Sequence, residues 1–183
     1  MEKVLGFFKK YLGFLENGHN LKAPFKWLYG IIAVLLAIYP IVILCSMIEG
    51  GFFNFRTFLF WIVIAALCFF GFILWWDRKD KVAFYSNSEK DEFIITPIIA
   101  YFIKTAGEWI GTYLAVGGFL FSLMVLLFGG SRYLAYMGLG YFTSAGAIGL
   151  ALFPIFGFLV IVLARFAAEQ FRALASVANN TKK

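Results

Sequence analysis

Charged residues are absent from four long stretches of the chain, residues 27–48, 57–76, 109–128 and 143–164. At about 1.5 Å of rise per helical residue, each is long enough to cross a hydrocarbon layer roughly 30 Å thick. The pattern therefore predicts an all-α, polytopic membrane protein with four transmembrane helices. Polar and basic residues collect between these runs and divide the chain into five parts. These are an amphipathic helix and linker (1–23), a first helix pair (24–76), a polar loop (77–92), a second pair (93–164) and a tail (165–183).

The N-terminal part has a different periodicity. At about 100° per residue, Val4, Leu5, Phe7, Phe8, Tyr11, Leu12, Phe14 and Leu15 share one half of a helical wheel, and Glu2, Lys3, Lys9, Lys10 and Glu16 share the other. A broad aromatic face opposite a lysine-bearing one suits a helix lying in the membrane interface, with Gly18 as its stop. Charge interrupts this stretch, so it does not read as a cleavable leader, and the first membrane helix serves as an uncleaved anchor. Pro40 and Pro154 fall inside spans and mark expected kinks. Thr96-Pro97 reads as a helix start, and Asp77-Arg78-Lys79-Asp80-Lys81 as the abrupt end of the second span in water.

Composition supports lipid as the solvent. Hydrophobic residues make up 62% and charged residues 14%, with 24 Phe and five Trp, against roughly 45–50% and about 25% in soluble domains. The net charge of +6 does not indicate nucleic acid, because the basic residues are dispersed between the apolar runs. Lys and Arg number five up to Lys26, one in the first turn (Arg56), five over 77–108, one in the second turn (Arg132) and four in the tail. Short loops rich in Lys and Arg stay cytoplasmic, which places both termini on the cytoplasmic side of the cell (inner) membrane. Trp27, Trp75, Trp76 and Trp109 then fall at the inner ends of the spans, as an aromatic belt would, and Tyr133, Tyr136 and Tyr141 mark an interfacial outer stretch.

Chemistry-bearing groups are few. His19 is the single histidine, and Cys45 and Cys68 both lie in apolar runs, so neither a His-based metal cluster nor a catalytic triad can be assembled in one chain. No phosphate-binding loop or dinucleotide fingerprint occurs. The expectation is no catalytic residue, no cofactor and no metal. No charge lies centrally in a span, which argues against a proton-coupled transporter.

Two sets of residues remain as candidates. Gly107, Gly111 and Ala115, with Ala145 and Gly149, recur every four residues and let helices approach closely, within the bundle or between subunits. Lys104, Glu108, Arg165, Glu169 and Arg172 form either a cytoplasmic docking or gating patch or ordinary helical ion pairs. The reading that follows is a non-enzymatic accessory, assembly or scaffold subunit of a bacterial membrane complex. Its expected partners are membrane lipids and other membrane subunits or a second copy, and nucleic acid is not among them. The alternative is a small homo-oligomeric channel or passive transporter, and a third reading is a protein that binds a lipid, quinone or pigment in an aromatic crevice.

The two halves echo each other, with Trp27-x5-Ala33-Val34 matched by Trp109-x5-Ala115-Val116, which reads as a parallel repeat of a helix pair. The second half has an Ile95-Thr96-Pro97 entry, a Gly129-Gly130 turn and an exit of Arg165, Glu169, Phe171, Arg172 and Asn180. On these residues, positions 93–180 resemble a family of small paired-helix bacterial inner-membrane proteins known as a domain of unknown function. The first half lacks the Arg-x3-Glu exit and has Asp77-Arg78 in its place. The resemblance implies a topology and no activity.

Overall fold

The first apolar run folds as one helix, α1 (Lys22–Glu49), continuous through Pro40. Proline has no N–H to give the preceding turn. Here Trp61 of the next helix donates its Nε1–H to the Pro40 carbonyl at 2.8 Å, a cross-helix bond at the point where the helix is weakest. The chain then reverses at Gly50 and Gly51, the latter at φ +66°, where Gly50 and Phe52 N–H groups close on the Ser46 and Met47 carbonyls. Asn54 and Thr57 cap the next helix reciprocally. The Thr57 N–H donates to Asn54 Oδ1 at 3.1 Å, and the Asn54 N–H donates to Thr57 Oγ1 at 2.9 Å.

The remaining elements are α2 (Phe55–Phe84), α3 (Ile95–Thr112), a π turn (Tyr113–Gly117), α4 (Gly118–Phe128), a short α5 (Ser131–Tyr136), two 3₁₀ turns (Gly140–Phe142 and Gly146–Ile148) and α6 (Gly149–Thr181). This computed structural model describes residues 22–84, 95–129, 131–142 and 146–181, and no strand occurs among them. The expected interfacial helix at 2–16, with Gly18 and His19, lies outside the described residues, as do residues 85–92 of the polar loop and Ala145.

Four helical stretches, Lys22–Glu49, Phe55–Val82, Ile95–Phe128 and Gly146–Thr181, are long and apolar enough to cross a membrane. They point to a multi-pass membrane protein. Leu35, Ile38, Phe69, Phe158 and Leu163 are among many large apolar side chains left exposed, a surface that hydrocarbon solvates and water does not. The helices pair as two antiparallel hairpins, α1 with α2, and the α3–α4 rod with α6. Two side-chain clusters fill the space around and between them. One, at the end bearing the charge runs, gathers Tyr29, Trp75, Val82, Ile98 and Tyr101. The other, towards the turns, gathers Phe60, Ile64, Phe121, Leu134 and Phe142.

The structure departs from the sequence expectation in three places. The charge run 77–81 does not end its helix, and α2 continues through it to Phe84. Trp75 belongs to no belt: it is 1% exposed and lies edge-on to Tyr29. The belt reading used position along the chain, whereas the face of α2 on which Trp75 falls is the one packed on α1 and α3. The stretch 133–142 is not simply interfacial either. It folds back so that Leu134, Leu139 and Phe142 are buried, with the Phe142 ring against Phe121 and Phe153. Counting tyrosines pointed outward, but its leucines and Phe142 fill the gap that the hairpins leave open near their turns.

Candidate functional site

The charged end of the bundle is organised by one face of α3. Tyr101, Thr105 and Glu108 follow at spacings of four and three, so they lie on one helical face, and all three are buried. Glu108 is an acid in an apolar surrounding, which is tolerated only with charged and hydrogen-bonded partners. Arg78 of α2 donates from Nη2 to its Oε2. Arg165 of α6 donates from Nε to its Oε1 at 2.8 Å, with Nη2 also at 2.8 Å. One carboxylate therefore ties three helices together.

Arg78 extends the network by a second bond, from Nη1 to Thr105 Oγ1 at 3.2 Å. The same oxygen accepts from the Tyr29 hydroxyl of α1 at 3.3 Å and donates to the Tyr101 carbonyl at 2.9 Å. A hydroxyl has two acceptor positions and one donor, and Thr105 uses all of them. The Arg78 guanidinium also lies 5.9 Å from the Tyr101 ring centroid. All four long helices thus contribute to one polar cluster. Both carboxylate oxygens accept from guanidinium donors, so Glu108 is engaged on each oxygen. The arrangement is a fastener.

The candidates separate accordingly. Glu108 and Arg165 meet, though across helices and not along one. Lys104 does not pair with Glu108; it borders a shallow groove with Asp77, Arg78 and Lys81. Glu169 is exposed and Arg172 half-buried on the continuation of α6. Arg78, Thr105 and Tyr29 were missed by the sequence reading. One signal was available in the internal echo, which places Lys26 before Trp27 as Glu108 stands before Trp109. In the structure Lys26 pairs with Asp80 at 2.7 Å, so each hairpin carries an ion pair at the same register.

The small residues lie in the α3–α6 seam of a single chain. A Cβ on Gly107 would run into Ala164, and one on Gly111 would lie 2.6 Å from the Gly157 carbonyl. Ala115 sits opposite Gly157, and Gly149 is buried at the start of α6. Gly118, against Phe153, extends the seam beyond the expected stripe. Cys45 and Cys68 are free thiols. No group of three or more His, Cys, Asp or Glu that could hold a metal occurs among the described residues.

No family model matches the chain, and no curated protein or solved structure is significantly similar to it.

Proposed function

We propose that this chain is a non-enzymatic accessory, assembly or scaffold subunit of a bacterial membrane protein complex. It is held in the inner membrane with both termini in the cytoplasm. The observation that supports this reading is the double engagement of Glu108 by Arg78 and Arg165. Glu108, the one buried carboxylate among the described residues, is given over to holding helices together, which suits a rigid part of a larger assembly. The basic residues at the same end agree with a cytoplasmic placement. Beyond Arg165, α6 runs on to Thr181 with Phe166, Phe171, Leu174 and Val177 exposed on a common side. That surface is available to a larger membrane-bound protein subunit that covers it with apolar side chains.

The alternative is a small homo-oligomeric channel or passive transporter, with Pro40 and Pro154 as bending points. Gly107, Gly111 and Gly157 lie against helices of their own chain, so these small residues serve packing within the bundle. Purification in mild detergent from native membranes tests the proposal. Stoichiometric recovery of a larger partner, lost when Phe171 and Leu174 are both replaced by Ser, is the expected result. A chain that purifies alone and monodisperse overturns it. Reporter tags on the two ends should read the same, cytoplasmic compartment.

A further inference from the structure

The hairpins do not close on each other along their whole length. Midway between the charged end and the turns, a cavity of about 560 Å³ separates α1 and α2 from the α3–α4 rod. Packed interiors leave few voids larger than a water molecule, and small-molecule sites are typically about 300–1,000 Å³. Its floor is made by Leu67, Cys68 and Leu139, all buried, and its rim by Leu35, Ile110 and Tyr141, all exposed. The opening therefore faces sideways, onto the apolar surface of the bundle.

Two features set this cavity apart from loose packing. Its wall contains the π turn Tyr113–Gly117, the one break in the Ile95–Phe128 rod. A π turn inserts a residue at a cost in hydrogen-bond geometry, and such turns gather at functional sites. This one begins at Tyr113, whose side chain lines the cavity together with that of Tyr141 from the fold-back segment. The lining is also chemically selective. It holds three phenols, Tyr39, Tyr113 and Tyr141, and the indole of Trp109, and no charged side chain.

We propose that the cavity binds a neutral, oxygen-bearing ring lipid of the quinone type, entering sideways from the bilayer. The Tyr39, Tyr113 and Tyr141 hydroxyls would meet its ring oxygens, and Trp109 would lie against the ring. Its apolar tail would follow Leu35 and Ile110 into the surrounding lipid. A phospholipid headgroup is charged and finds no counter-charge in this lining. An acyl chain alone would leave the Tyr39 and Tyr113 hydroxyls unanswered.

The test uses the full chain in lipid nanodiscs, titrated with decylubiquinone while tryptophan fluorescence is followed. Saturable quenching is expected, and it should largely disappear in Trp109→Phe, which removes the reporter nearest the ring. Filling the cavity with Leu36→Phe and Leu114→Phe together should weaken binding by about tenfold or more. The isosteric change Tyr113→Phe keeps the volume, and its loss of one hydrogen bond should weaken binding about fivefold. If the filled variant fails to fold, Tyr113→Phe decides alone. Quenching that never saturates, or that is the same in wild type and Tyr113→Phe, overturns the proposal. So does equal, tyrosine-independent quenching of Trp109 by brominated phosphatidylcholine, which would mean that ordinary bilayer lipid occupies the space.

Discussion

Gly111 and Gly157 face each other across the α3–α6 seam, each occupying the space that a side chain on the other would need. A methyl on Gly111 would lie 2.6 Å from the Gly157 carbonyl, and one on Gly157 would lie 2.5 Å from the Ala115 nitrogen. Between apolar helices in lipid there is no hydrophobic gain from pairing, so close backbone approach and its van der Waals contact must supply the attraction. Gly157→Ala is therefore expected to destabilise the chain by about 1–3 kcal/mol, the usual cost of overpacking. Gly30→Ala, on α1 with nothing within 4 Å of the added carbon, should leave the unfolding temperature in detergent unchanged or raise it. Equal effects of the two changes would refute the seam.

Replacing Glu108 removes the shared partner of two arginines. Glu108→Gln should cost about 3–5 kcal/mol, as when a buried ion pair loses one member. Arg78→Met should be the more damaging of the two arginine changes, because Arg78 is largely buried and also bonds Thr105, whereas Arg165 is more than half exposed. Thermal unfolding of the three variants in one detergent gives the order. Lys26→Ala breaks only an exposed pair with Asp80 and should not shift the transition measurably.

Phe142 reports on the fold-back segment. Its ring is fully buried against Phe121, Phe153 and Tyr113, so Phe142→Ala should cost about 3–5 kcal/mol. Tyr133→Ala loses one long hydrogen bond from Asn54 and should be nearly silent. Were the segment an exposed interfacial loop, the two substitutions would behave alike in a denaturation series.

Cys45 and Cys68 provide a check on burial in lipid. Both thiols lie inside stretches able to span a membrane, and the thiolate that reacts with maleimides forms poorly in an apolar medium. A membrane-impermeant, charged maleimide should label neither cysteine in intact membranes and both after solubilisation in sodium dodecyl sulfate. Prompt labelling of either residue in sealed vesicles would contradict the placement of α1 and α2 as spans.

The number of apolar helices was legible in the chain, because four runs without charge admit only lipid or a large core as solvent, and 183 residues cannot build that core. The short Gly50-Gly51 reversal and the seam residues Gly107 and Gly111 were legible for a similar reason, since local backbone needs choose glycine directly. What the seam packs against was not. Small residues report that something comes close without saying whether it is the same chain, and Ala164, Ile161 and Gly157 supplied the answer only once α6 was in place.

The polar cluster was hidden for a different physical reason. In the sequence Arg78 belongs to a charge run, and such runs ordinarily end helices in water. Only the continuation of α2 to Phe84 turns that side chain inward to Glu108, which lies 30 residues away, and to Thr105. The cavity beside Tyr113 is tertiary in the same sense, because it depends on how far apart two hairpins rest. Hydropathy and charge, summed along a chain, set which segments leave water and which flanks stay in it. Which faces of those segments meet depends on distances between residues far apart in the chain, and no linear pattern carries them.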